Sequence, residues 1–387
     1  MRDAVIVGAV RSPVGRRNGG LSGVHPADLA AEVLSALAER AGLDPVHVDD
    51  VIMGCVSQVG EQSWNIARNA VLAAGWPESV PGTSIDRQCG SSQQALHFAA
   101  AAVISGQADV VVAAGVEGMS RVPMGSSVSQ GVGAPYGDKV RERYAGVEGV
   151  ATELPIPFNQ GVGAEMLAAR WGLDRTTLDT FALESHLKAA AAIDAGAFTA
   201  EITPIAGIKT DEGVRRDSTV EKLAGLKTPF KADGVISAGN ASQISDGSAA
   251  LLVTTSEKAR ELGLTPLARV HTAVVVGSDP VVMLDGPIAA TQKVLARSGL
   301  SLADIGAYEV NEAFAPVPLG WLKETGADPA RMNPLGGAIA LGHPLGASGA
   351  RLATTLIHHM RANGIRYGLQ TMCEGGGMAN ATILEAL

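Results

Sequence analysis

Aromatic side chains are scarce in this chain, 4% of residues against 46% for hydrophobic residues as a whole. A core without large rings must be filled by small aliphatic side chains packed closely. With 47 glycines the composition is that of an Ala/Gly/Val-rich α/β enzyme. Positive charge is also short: 30 Lys and Arg stand against 39 Asp and Glu, a formal net charge of −9. That excludes a general nucleic-acid or anionic-membrane binder, which needs a sequence-independent positive field, so an anionic ligand must be met by a local basic patch. Cysteine is limited to Cys55, Cys89 and Cys373, an odd number that indicates free thiols and no disulfide framework. Metal-ligand spacing is missing, and no metal is expected. No apolar run approaches the length of a membrane span, and Ala4–Val10 is too short for a signal peptide. It reads as the first strand of a cytoplasmic protein whose 387 residues suggest two or three domains.

What is present centres on Ile85–Leu96 (IDRQCGSSQQAL), where a short strand turns into a helix. Apolar residues at Ala95, Leu96, Ala99, Ala100, Val103 and Ile104 recur at helical spacing, and Gly106 supplies the stop. Cys89 therefore stands at or just before a helix N-terminus. Unpaired N–H groups and the positive end of the helix dipole favour an anion there, which predicts a thiol drawn toward thiolate and makes Cys89 a candidate nucleophile. A small buried cysteine packed under a helix fits the same position.

The chain also repeats itself. Leu37–Gly54 and Leu295–Asn311 share a helix end, Gly-Leu, a connection of similar length and a strand. Cys89-Gly90 before an Ala-rich helix matches Ser348-Gly349 before Ala350–Ala362, and Gly118-Met119 matches Gly377-Met378 at the same separation. This predicts two copies of one βα unit, 1–264 and 265–387, whose equivalent loops can face one another across a pseudo-twofold axis. Between them, about 119–249 has a different texture, and so long an irregular insertion suits a lid or binding domain. It carries the expected helices Gly163–Trp171 and Thr177–Ala195. Within Ile208–Lys231 the cations Lys209, Arg215, Arg216, Lys222, Lys227 and Lys231 outnumber the anions, so the stretch suits either phosphate contact or a solvated face.

Three further motifs lie in the second copy: Asn311-Glu312-Ala313-Phe314-Ala315 closing a strand, Gly336–Gly349 (GGAIALGHPLGASG) leading into a helix, and Cys373–Met378 (CEGGGM) after the strand Gly368–Met372. With Cys89 they supply a nucleophile, a base, a second thiol, an amide and approachable backbone N–H groups, the set a thioester acyl transfer requires. The chain lacks the glycine spacing of a dinucleotide-binding loop after its first strand.

At these motifs, in order and spacing over essentially the whole length, the chain resembles the thiolase family. The resemblance implies an α/β thiolase fold, duplicated βαβαβαββ halves in a five-layer αβαβα core, with the inserted loop domain binding coenzyme A. It implies Cys89 as the acylated nucleophile, His343 as its base and an oxyanion-hole member, and Cys373 as general acid/base. Asn311 would hold an oxyanion-hole water, and the backbone N–H groups of Cys89 and Gly375 would form the second hole. CoA and substrate contacts are expected at Arg215, Arg216, Ser242, Gln160 and Ala313, and the acyl pocket at Phe230 and Met283, which could equally be core residues. Coenzyme A and acyl-CoA would be substrates, with no permanently bound cofactor and a homodimer or homotetramer as the assembly. DRQCGSSQQA, Asn159-Gln160-Gly161, the MLDGP run at Met283–Pro287 and Glu374 depart from the short-chain biosynthetic pattern. They point to degradative cleavage of a 3-oxoacyl-CoA, steroid-type acyl groups included, with acetoacetyl-CoA condensation as the alternative. Two rivals are a condensing synthase of the same fold, disfavoured by Cys373, and a non-catalytic acyl-CoA-binding subunit, disfavoured by the intact set of reactive residues.

Overall fold

Among the described residues ten strands form one sheet, and from its centre outward four strands of each half follow a matching order. The computed structural model describes residues 2–129 and 133–387; residues 130–132, inside the Gly125–Gly137 stretch, lie outside the described residues. The first half runs β1 (Val5–Arg11), β2 (Gly15–Arg16), α1 (Pro26–Ala41), β3 (Asp50–Gly54), α2 (Ile66–Ala73), β4 (Gly82–Ile85), α3 (Ser91–Ser105) and β5 (Val110–Gly118). An insertion with α4 (Ser126–Ser129), α5 (Asp138–Arg143), α6 (Gln160–Trp171), α7 (Arg175–Asp194) and α8 (Val220–Ala224) follows, before the half is completed by β6 (Ser245–Thr254) and α9 (Ser256–Glu261). The second half has β7 (Ala268–Gly277), α10 (Gly286–Ser298), β8 (Ala307–Val310), α11 (Pro316–Thr325), α12 (Ala338–Leu341), α13 (Leu345–Ala362), β9 (Tyr367–Glu374) and β10 (Met378–Ala386).

Sheet order is β4-β3-β5-β6-β1-β7-β10-β9-β8, with β2 pairing β6. β3 runs parallel to β5 as β8 does to β9, and β5 is antiparallel to β6 as β9 is to β10. The halves meet where β1 pairs β7 over only two residues. The repeated helix stops are the same device: Gly42 (φ 68°) ends α1 and Gly299 (φ 75°) ends α10, each in the left-handed conformation that glycine adopts without a Cβ penalty.

Helices α3 and α13 pack against each other between the two half-sheets. They approach closely because Gly349 has no side chain: a Cβ there would lie 2.1 Å from the Gln93 nitrogen. Small residues on both helices (Ala95, Ala99, Ala350, Ala353) and the strand faces of both halves form the central core. Helices α1 and α2 cover one outer face and α10 and α11 the other. This gives five layers, αβαβα, whose core is filled chiefly by Ala, Val and Leu in place of the scarce aromatics.

Expected boundaries shift in three places. β6 begins at Ser245, so the insertion ends before 249. Cys373 and Glu374 belong to β9, and Ser348 lies inside the first turn of α13, whereas Cys89 precedes α3. No helix of the described residues is long and apolar enough to cross a membrane.

Candidate active site

Cys89 sits in the turn between β4 and α3 and is buried. Gln88 before it takes a left-handed backbone (φ 49°), fixed by an Asx-type bond from its N–H to Asp86 Oδ1 at 2.6 Å. The expectation of a thiolate is overturned. Burial pushes the Cys89 thiol up to about 12, the Glu374 carboxyl adds to the rise, and the N–H groups of Cys89 and Gly375 act the other way. The cap does little to offset burial. The Gly90 N–H donates to Arg87 O at 3.1 Å and the Ser91 N–H to Gln88 O at 3.0 Å, so these helix-start donors close the turn and are not free for sulfur. In the resting site Cys89 is a thiol and needs a base to become a nucleophile.

His343 is the residue expected to serve as that base. It lies between α12 and α13, buried, and its N–H donates to Gln243 O at 3.2 Å. Its Nδ1 is 2.6 Å from Ser348 Oγ, and that hydroxyl donates its single proton to Pro344 O at 2.8 Å. Ser348 Oγ must therefore accept from Nδ1–H, leaving Nε2 with its lone pair, 3.4 Å from Asn311 Nδ2. Burial, with Arg351 as a lesser cause, holds the imidazole down to about 3, so it is neutral and able to take a proton.

Asn311 follows directly on β8, and its buried Oδ1 has no hydrogen-bond partner in the structure. Its neighbour Glu312 ties this segment to the glycine turn before His343, accepting from Ser185 Oγ (2.7 Å), Asn333 Nδ2 (2.9 Å) and the Ile339 N–H (3.2 Å). Glu117, at the end of β5, accepts from the N–H groups of Val56, Ser57 and Gly346, fixing the start of α13 to the first half. Cys373, on β9, is buried; its thiol lies well above the ordinary range, chiefly through burial and then through the neighbouring Cys89. The two thiols are thus near enough for the charge of one to act on the other, and the Gly375 N–H lies within hydrogen-bonding reach of the Cys89 sulfur. Cys55 is buried in the outer core of the first half and takes no part in this cluster.

The expected substrate residues divide. Gln160 opens α6; beside it Gly161 packs on the Phe230 ring, which meets Phe314 edge-on with centroids 6.2 Å apart. Ala313 is joined to Ser242 by the Ser242 N–H donating to its carbonyl at 2.9 Å. These residues form one continuous wall running from Asn311 to α6. Met283 is buried in the core behind α6, where Gly163 packs on the Val282 carbonyl. It does not line an open surface. Arg216 is held by Asp194 in a two-pronged exposed pair, with distances of 2.7 and 2.8 Å. Lys222 is likewise taken by Asp217. Arg215, Lys209, Lys227 and Lys231 are exposed and make no ion pair among the described residues. Among those residues no group of His, Cys, Asp and Glu could hold a metal ion.

Sequence reasoning missed roles for Ser348, Glu312 and Glu117; Glu312 and Glu117 act on partners brought up by other elements. A serine five residues after a Gly-flanked histidine is the one hint that was available for Ser348.

A buried thiol near a second thiol, a neutral imidazole with a fixed tautomer, and a backbone N–H at the sulfur are groups that can make, transfer and break a thioester. Comparison with known proteins agrees. The family model of the thiolase N-terminal domain matches residues 4–257 and that of the C-terminal domain residues 264–386. A steroid 3-ketoacyl-CoA thiolase, FadA6, of Mycobacterium tuberculosis is 48% identical over 100% of this chain and 95% of its own length. A 3-oxoadipyl-CoA/3-oxo-5,6-dehydrosuberyl-CoA thiolase of Escherichia coli K12 is 44% identical over all of both chains. The crystal structure of the Bacillus anthracis acetyl-CoA acetyltransferase superposes with a TM-score of 0.90 at 40% identity, covering 100% of this chain and 99% of that one.

Proposed function

The chain belongs to the thiolase family, and on that premise we propose that it cleaves a 3-oxoacyl-CoA with coenzyme A, in the degradative direction. The products are acetyl-CoA (or propionyl-CoA) and a shortened acyl-CoA. The observation that supports this is the nearness of Cys89, from the first half, to Cys373 and Gly375, from the second, together with the paired His343 and Asn311. His343 Nε2 takes the Cys89 proton as sulfur attacks the 3-keto carbon. The C2–C3 bond breaks, its electron pair going to the acetyl-CoA enolate, and Cys373 delivers its proton to that carbon. The acyl group is left on Cys89. Coenzyme A then gives its thiol proton to Cys373 and attacks the thioester, and Cys89 leaves to recover its proton from His343. Both stages build negative oxygen. The unpartnered Oδ1 of Asn311 suits it to hold a water beside His343 Nε2 at one oxygen, and the N–H groups of Cys89 and Gly375 suit the other. Such donors contribute about 3 kcal/mol each when pre-placed.

The relatives named for 3-ketoacyl-CoA, steroid and oxoadipyl substrates favour cleavage over acetoacetyl-CoA synthesis. Coenzyme A and acyl-CoA come and go as substrates, with no resident cofactor. Ser242, Ala313, Gln160 and Phe230 line the acyl and pantetheine path, and exposed Arg215 meets a phosphate. Two chains pair at the free edge of β4, where Trp64 (91% exposed) and Leu72 stand uncovered; light scattering at micromolar concentration that gives a monomer mass overturns this part. Three free thiols suit a reducing cytoplasm, which cell fractionation checks. The deciding experiment is turnover of a 3-oxoacyl-CoA panel, from acetoacetyl-CoA to long-chain and steroid-derived thioesters. Release of acetyl- or propionyl-CoA only when free CoA is added supports the proposal. No cleavage of any member refutes it.

A further inference from the structure

Glu374 is a carboxyl where the mechanism above has no use for one. It is fully buried at the end of β9, and neither oxygen has a hydrogen-bond partner in the structure. It presses on the turn that bears the nucleophile: a Cβ at Gly90 would lie 2.0 Å from its Oε1 and 2.8 Å from Asn380 Nδ2, and that amide donates to Gly90 O at 3.2 Å. Glu374 follows Cys373 directly and reaches the residue after Cys89, so one side chain spans both thiol-bearing segments. The charged and titratable groups facing it are Arg87 and Asp86 from the Cys89 turn, and Cys89 and Cys373 themselves; Asn380 of β10 is neutral. Arg87 forms no ion pair with it, and the Arg87 Nε is itself buried and unpartnered.

We propose that Glu374 is a positioning residue that tunes the nucleophile: its charge state, sensed through the Gly90 contact, sets how readily the Cys89 thiol gives up its proton. As a neutral acid it leaves His343 free to draw the proton from Cys89. As an anion it opposes the thiolate and holds Cys89 in the unreactive thiol form. Burial raises this carboxyl to about 8, Arg87 opposing and Asp86 adding, so the change falls inside the working range. The sign is definite. Rising pH favours thiolate directly but ionises Glu374, so the gain in Cys89 reactivity flattens above about pH 8. A thiol held back in the empty site is also shielded from oxidation, which proceeds through the thiolate.

This inference rests on the reading of Cys89 as the nucleophile, and its test does not need turnover. Alkylation of Cys89 by iodoacetamide, in which the sulfur displaces iodide, is followed by peptide mass spectrometry from pH 6 to 9.5 in wild type and Glu374→Gln. A like charge this close moves a thiol by about 1–3 pH units, and lower nucleophilicity of the more acidic thiol offsets part of the gain. The Gln-to-wild-type rate ratio is expected to rise from near one at pH 6 to about tenfold at pH 9. A lost packing contact would move the rates by the same factor at every pH, and a ratio independent of pH overturns the proposal. Glu374→Met serves if the buried amide prevents folding. The wild-type profile alone gives a second check, since a straight rise with pH and no inflection near 8 also contradicts it. Absence of an acyl adduct on wild-type Cys89 would instead sink the proposed function while leaving the alkylation ratio intact.

Discussion

In the first half of the molecule the position at the mouth of the central helix is Cys89; in the second half the matching position is Ser348, whose hydroxyl holds the Nδ1–H of His343. The same offset places Ala114 opposite Cys373 and Gly115 opposite Glu374. On the proposed mechanism one half contributes a single reactive atom on an otherwise inert scaffold, and the other the groups that move its proton and steady its charge. Gly115 has no room for anything larger, because a Cβ there would lie 2.1 Å from Gly346 O. At Glu374 the equivalent space is filled by a carboxyl against Gly90. Duplication supplied two equivalent strand ends facing one another across α3 and α13. Divergence then gave them complementary work, which neither could do alone.

If this division holds, removing the one reactive atom of the first half has the largest effect. Cys89→Ala should lose turnover by on the order of 10⁴-fold or more and form no acyl adduct on incubation with a 3-oxoacyl-CoA. An adduct elsewhere on the chain, seen by intact-mass and peptide analysis, contradicts the assignment. Next is the base. His343→Ala should slow iodoacetamide alkylation of Cys89 at pH 7.5 by about 10²-fold. The wild-type rate should show no limb near pH 6.5, because the buried imidazole stays neutral until pH falls toward about 3. Its neutral form is the base, so only acid below that range removes it.

Ser348 sharpens the comparison further, since it is the counterpart of the nucleophile and acts only through His343. Ser348→Ala removes one hydrogen bond of about 1 kcal/mol that selects the tautomer, so kcat should fall roughly fivefold with KM unchanged. A change confined to KM would mean that Ser348 touches substrate. The smallest effects lie in the insertion. Arg215→Ala should raise KM for coenzyme A about threefold and Arg216→Ala less than twofold, as suits exposed charges screened by water. Equal effects in steady-state kinetics would mean that Asp194 does not hold Arg216.

Much of this was legible in the chain. Periodicity and glycine stops placed α1, α3 and α10, and the repeated spacing gave the pairing of halves that the strand order displays, with β4 alone unmatched along that order. Cys89, His343, Cys373 and Asn311 stood out because each interrupts a glycine-rich or apolar run at a strand's end. The state of the Cys89 thiol was not legible, since whether a helix start offers free N–H groups depends on how its turn closes, and Gly90 and Ser91 donate to Arg87 and Gln88. Charge counting in the Ile208–Lys231 stretch could not reveal that Arg216 is claimed by Asp194, which lies outside that stretch at the end of α7. Glu312 and Glu117 stayed silent for the same reason. Their partners come from other elements, and sequence pattern reports the local period of an element more readily than what lies across the core.

The division of labour is tested most directly at Cys373. Cys373→Ser keeps the nucleophile and its base but replaces the thiol that serves the acetyl methyl carbon with a far weaker acid. Exchange of acetyl-CoA methyl protons in deuterated buffer, read by mass spectrometry alongside acylation of Cys89, separates the two stages. The expected result is Cys89 still acylated by acetyl-CoA, with methyl exchange lower by about 10³–10⁴-fold. Exchange at the wild-type rate in Cys373→Ser would contradict the assignment of proton transfer to the second half's thiol.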